Sequence, residues 1–64
     1  MKLILPDRST RVLDLPPAAL EAILLGEDIN PLEVIASRNG VLITEDTVIE
    51  INDEIRLLRI AHGG

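Results

Sequence analysis

The chain has no cysteine, no Phe, Trp or Tyr, and only one histidine in 64 residues. Without cysteine there is no disulfide framework, no zinc–cysteine site and no thiol nucleophile. One histidine cannot build a histidine-based metal site, and no metal site is expected. Without aromatics nothing can stack on bases, and six basic residues against eleven acidic ones leave a net charge of −5. Neutralising phosphates takes clustered Lys and Arg, so nucleic-acid binding is not expected. No apolar run approaches the roughly 18 to 20 residues that span a bilayer, and no signal peptide opens the chain. A cytoplasmic protein without membrane contact is the expectation. A chain of this length buries only roughly 60% of its unfolded surface. It leaves no room for an enclosed substrate pocket of about 300 Å³ or more. Few self-contained enzymes remain possible, and no bound cofactor is expected.

What the chain does have is aliphatic. Hydrophobic residues make up 47%, and 24 are Leu, Ile or Val, a globular composition. Met1 to Pro6 alternates loosely and predicts a strand closed by a Pro6-Asp7 turn. Ser9 to Leu15 predicts a second strand, paired as a hairpin. Pro16 and Pro17 fit the first turn of a helix, where missing N–H groups cost nothing. Leu20, Ile23 and Leu24 follow at helical spacing, and Gly26 is the expected C-terminal cap of a helix of about ten residues. Asn30-Pro31 punctuates the chain again, and Glu33 to Arg38 is strand-like. Asn39-Gly40 is the strongest hairpin signal, because a type I′ turn needs positive φ twice. Val41 to Ile43 returns as a strand. Period alone leaves open whether Val34 and Ala36 or Ile35 and Ser37 face inward. Thr44 to Ile51 is irregular, with Val48, Ile49 and Ile51 expected beneath the sheet. Asn52-Asp53 turns the chain into a last strand, Glu54 to Ala61.

Residues 1–64 therefore read as one domain in the order strand, strand, helix, strand, strand, strand. A helix after an N-terminal hairpin must cross the sheet, and the simplest right-handed arrangement lays the last strand parallel to the first. That is an α+β β-grasp (ubiquitin-like) roll, a mixed four- to five-stranded sheet packed on one helix. Its expected core is Leu3, Leu5, Leu13, Leu15, Leu20, Ile23, Leu24, Ile55 and Leu57.

Chemistry is left to the end of the sequence. His62 is followed by Gly63 and Gly64. Two residues without a Cβ make a thin, flexible tail (62–64) that could thread a narrow channel in another protein and present a carboxylate there. A frayed tail gives the same ending. His62 lacks an orienting partner on such a tail, so recognition suits it better than acid–base work.

These features together resemble the ThiS/MoaD family of ubiquitin-like sulfur-carrier proteins. The resemblance spans essentially the whole chain. It rests on Leu5-Pro6-Asp7, the proline-led Leu-rich helix, Asn30-Pro31, Val34 through Asn39-Gly40, Asn52-Asp53-Glu54-Ile55 and Gly63-Gly64. The glycine of the family's usual Asp-Gly-Asp-Glu turn is missing, and His62 replaces a small residue before the glycine pair. The resemblance implies a protein co-substrate rather than an enzyme. Its Gly64 carboxylate would be adenylated by a ubiquitin-activating-like enzyme that uses ATP and Mg²⁺. Sulfur from a persulfide donor would then give a thiocarboxylate, with Gly63 and His62 recognised in the tail. The acceptor would be an enzyme of thiamine or molybdopterin biosynthesis, or of tRNA thiolation. The free protein is expected to be a monomer. Two alternatives stay open: a non-covalent β-grasp interaction module, and a ubiquitin-like modifier joined to lysines.

If Leu3, Leu5, Ile55 and Leu57 point inward, Ile4, Val12, Leu58 and Ile60 point outward and form an apolar patch. Exposed patches on small proteins mark interfaces. Arg56 and Arg59 on the same strand could steer an acidic partner surface, or be a solvated fringe. The carboxylates Glu45, Asp46, Glu50, Asp53 and Glu54 match no cation-binding loop and read as a solvated acidic face.

Overall fold

In the computed structural model, which describes residues 1–60, the chain begins with β1 (Lys2–Ile4) and β2 (Thr10–Val12), paired antiparallel. The turn between them closes through Arg8 N–H donating to the Leu5 carbonyl at 2.8 Å. Arg8 takes φ 73° there. Asp7 accepts from both the Ser9 hydroxyl (2.5 Å) and the Ser9 N–H (2.9 Å). These bonds hold its carboxyl below the ordinary aspartate value.

The two prolines do not start the helix. Pro17 disfavours helical backbone at Pro16, and after a bend at Pro17 the chain enters β3 (Ala18–Ala19), which pairs antiparallel with β6 (Val48–Ile49). The helix α1 is Leu20–Gly26, seven residues, and has no side-chain cap. Instead the Leu20 and Glu21 N–H groups donate to the Thr47 (2.9 Å) and Glu45 (2.8 Å) carbonyls. A tertiary contact thus satisfies donors that a cap would otherwise take. Gly26 is the last helical residue, but it is not the C-terminal cap it was expected to be. The left-handed position falls on Asp28, at φ 61°. Ile29 N–H reaches the Leu24 carbonyl at 2.9 Å and Asp28 N–H the Leu25 carbonyl at 3.1 Å. That bonding is a Schellman motif with aspartate in the place glycine usually fills.

Asn30 caps a 3₁₀ turn, Pro31–Glu33, its Oδ1 accepting from Leu32 N–H at 2.9 Å. Next come β4 (Val34–Arg38), β5 (Val41–Ile43) and, after β6, β7 (Glu54–Arg59). The Asn39-Gly40 hairpin is as expected, with φ of 54° and 78°. The main sheet has the order β2-β1-β7-β4-β5; β7 runs parallel to β1 and antiparallel to β4. The result is a small α+β fold, one mixed five-stranded sheet with one helix, compatible with a β-grasp roll.

The core is Met1, Leu3, Leu20, Ile23, Leu24, Ala36, Ile49, Ile55 and Leu57. Leu5 and Leu13 pack against it half-buried, whereas Leu15 is exposed because the chain leaves the sheet after Leu13. Of the three residues expected beneath the sheet only Ile49 is buried; Val48 and Ile51 face solvent. The Met1 ammonium donates to the Leu13 (2.9 Å) and Ile51 (2.6 Å) carbonyls, tying the start of β1 to two connections.

Arg38 ends β4 and donates to Asp53 Oδ2 at 2.8 Å and to the Val48 carbonyl at 3.3 Å. Asp53 also accepts from Glu50 N–H at 2.9 Å. That backbone bond, with the Arg38 guanidinium, holds the Asp53 carboxyl below its ordinary value of 3.8. Asp53 is therefore a structural acceptor, not part of a merely solvated face.

Two predictions follow from these contacts. Asp28→Gly removes a left-handed non-glycine residue and a negative charge from a helix C-terminus. It should raise the unfolding free energy by about 0.5–1 kcal/mol in urea titrations. Asp53→Asn should cost about 1 kcal/mol at neutral pH, the pair being partly solvated. The wild-type carboxylate stabilises fully above the unfolded aspartate range and loses its contribution as pH falls through its lowered folded value. The gap between wild type and Asp53→Asn should therefore close on acidification.

Candidate functional site

Strand β7 is central, and its side chains alternate cleanly. Ile55 and Leu57 are buried under α1, and Glu54, Arg56 and Leu58 lie on the opposite, outer face. The pairing register carries this alternation across the sheet. Leu3 opposes Ile55, and Ala36 opposes Leu57, on the inner face. On the outer face Ile35 opposes Leu58, and Arg56 lies between Ile4 of β1 and Ser37 of β4. Ser37 in turn opposes Leu42 on β5. The open question about β4 is thereby answered: Ala36 is buried, Val34 packs on the core, and Ile35 and Ser37 face outward.

The outer face thus carries Ile4, Ile35, Leu42 and Leu58 about Arg56, with Lys2 opposite Glu54 at the start of β7. Leu42 and Leu58 are 68% and 53% exposed, so large aliphatic side chains stand in water on a sheet built from short strands. Three of the expected patch residues, Ile4, Arg56 and Leu58, are brought together. Ile60 extends the same side of β7, half-buried, its N–H donating to the Glu33 carbonyl at 2.9 Å. Val12 stands at the far edge opposite Lys2, 78% exposed, away from Leu58.

Arg59 does not belong to the patch. It opposes Val34 on the helix side of the sheet and lines an open groove of about 290 Å³ with Leu5, Asp7, Arg11, Asp28 and Glu33. Parity along β7 separates it from Arg56, so only one of the two arginines can steer a partner to the outer face. Arg11 shares the helix side and bonds the Glu27 carbonyl (3.1 Å) and carboxylate (3.3 Å), clipping β2 to the helix C-terminus.

Ile35 and Leu42 are the patch residues that sequence reading passed over. Their facing depends on the β4–β7 register, and a five-residue run of mixed polarity does not encode it. The Asn39-Gly40 turn does fix Leu42 relative to Ser37, but it leaves both free to face either way.

Among the described residues no three His, Cys, Asp or Glu side chains are grouped to hold a metal. Asp46 is engaged by the Thr44 hydroxyl, and Asp53 by Arg38. No described helix is long and apolar enough to cross a membrane. His62, Gly63 and Gly64 lie outside the described residues. The last described residue, Ile60, follows the end of β7 where Leu58 opposes Ile35.

The facing assignment makes a sharp contrast between neighbours. Leu57→Asp buries an unpaired carboxylate and should abolish cooperative folding, with a cost of several kcal/mol. Leu58→Asp should shift the urea midpoint little, within about 0.5 kcal/mol. Circular dichroism and urea melts of the two variants check this; equal damage would mean the register is wrong.

No protein-family model matches this chain, and no curated protein matches it in sequence.

Proposed function

We propose that the chain is a ubiquitin-like sulfur carrier on a β-grasp fold, a protein co-substrate that other enzymes load and unload. The observation that carries the reading is the central β7, parallel to β1, leading within a few residues to Gly63-Gly64. A rigid sheet followed by a side-chain-free segment suits delivery of a carboxylate into a partner's active site. No ligand need be enclosed by the carrier, in keeping with a fold whose groove is open and whose core is wholly aliphatic.

The chemistry requires activation because a carboxylate is a poor electrophile. In a chain ending at Gly64, the carboxylate attacks the α-phosphate of ATP and pyrophosphate leaves. The terminal sulfur of a donor persulfide then displaces AMP from the acyl carbon. A thiol cleaves the resulting S–S bond and leaves a thiocarboxylate, ionised at neutral pH and nucleophilic. The outer-face patch, Ile4, Ile35, Leu42 and Leu58 with Arg56, is the docking surface in this reading, since it offers apolar area to be buried and one charge for orientation. The acceptor enzyme belongs to cofactor biosynthesis of the thiamine or molybdopterin type, or to tRNA thiolation. The protein works in the cytoplasm as a monomer between encounters.

Intact mass tests the proposal in two stages. Protein recovered from its own cell should end at Gly64. Incubation with an adenylating enzyme of that cell, ATP, Mg²⁺, a persulfide donor and a thiol should then add about 16 Da, oxygen having been exchanged for sulfur. Deleting Gly64 should abolish the gain, and Leu58→Asp should slow it while the fold is kept. A chain that stays at its starting mass would overturn the carrier. Recovery of the chain joined through Gly64 to lysines would favour a modifier instead.

A further inference from the structure

The chain has three asparagines, and their surroundings differ chemically. Asn30 precedes Pro31, whose nitrogen carries no hydrogen, and its side-chain oxygen is held by Leu32 N–H. Asn52 precedes Asp53, whose Cβ crowds the approach to its backbone nitrogen. Asn39 precedes Gly40, is exposed, and sits at the tip of the β4–β5 hairpin with φ 54°. Nothing lies within 4 Å of the place where a Gly40 Cβ would be, so the nitrogen after Asn39 is sterically open.

We propose that Asn39 is a self-modification site at which the side-chain amide is lost by cyclisation onto Gly40. The Gly40 backbone nitrogen attacks Asn39 Cγ; the new N–Cγ bond forms as the Cγ–Nδ2 bond breaks. Ammonia leaves with the proton released from the Gly40 N–H. Water then opens the succinimide at either carbonyl, giving aspartate or isoaspartate. No oxidant, reductant or enzyme is needed.

The fold sets the rate and the consequence. Pairing of Arg38 with Val41 locks the turn in left-handed geometry at both central residues. Bringing Gly40 N onto Asn39 Cγ requires the turn to leave that geometry, so the reaction proceeds through opening of the hairpin. The product matters because Asn39 borders a shallow depression on the outer face with Ile4, Ser37, Glu54 and Arg56. A carboxylate arising there adds negative charge next to Arg56, the arginine of the apolar patch. An isoaspartate also lengthens the backbone of a two-residue turn, which no longer matches the β4–β5 register.

The test is ageing of the full chain at about pH 8 and 37 °C, followed by intact mass and peptide mapping. A gain of about 1 Da is expected, located at residue 39, with isoaspartate exceeding aspartate. The same incubation in denaturant should proceed several-fold faster. Asn39→Asp, which keeps a residue tolerant of positive φ, should show no gain. An unchanged wild-type mass, a gain that persists in Asn39→Asp, or aspartate as the sole product would each overturn the proposal. Equal rates in the folded and denatured chain would overturn control by the hairpin.

Discussion

The parallel pairing of β1 with β7 is the constraint on which the rest of the molecule depends. A parallel neighbour cannot be reached by a tight turn, so the chain must leave the sheet and return. Here residues 5–53 make that connection, and β2, β4 and β5, which complete the sheet, all lie within it. The one α-helix within that connection packs Leu20, Ile23 and Leu24 against Leu3, Ile55 and Leu57, covering one face of the sheet. One face therefore becomes dry and the other remains wet. Leu3 and Ile55, opposed in register and both fully buried, are where the two ends of the sequence meet in the core.

This division also sorts the charges. Glu54 is the one carboxylate on a sheet strand; the others lie on α1 or in the connections. Lys2 and Arg56 stand beside it on the outer face. A strongly acidic protein thus keeps a weakly basic, aliphatic surface on one side, so a partner approaching the two faces meets opposite fields.

Legibility from sequence followed the range of the interactions. Pro6-Asp7, Asn39-Gly40 and the helical spacing of Leu20, Ile23 and Leu24 are local signals, and all three hold. The helix boundaries are not legible locally, because nonlocal contacts decide them. The Ala18–Ala19 pairing with β6 takes two residues that would otherwise be helical, and carbonyls of residues 45 and 47 stand in for the N-cap. Leu15 and Ile51 have the polarity of core residues but lie in connections, beyond the end of β2 and before β7, where they stay exposed. Arg59 and Arg56 share a strand but not a face, a separation that the parity of β7 carries in the sequence itself. By contrast, the facing of Ile35 could not be read locally, since it is set by a strand some twenty residues away.

The parallel register has one more consequence, for the geometry of the ends. Met1 is fixed beside the start of β7, its ammonium held by the Leu13 and Ile51 carbonyls, while Ile60 lies past the far end of the same strand. Six residues of extended chain separate these points by about 20 Å. Many domains have termini close enough for circular permutation. In this one Met1 and Ile60 stand at opposite ends of the central strand, so a single partner touching both would have to span its whole length.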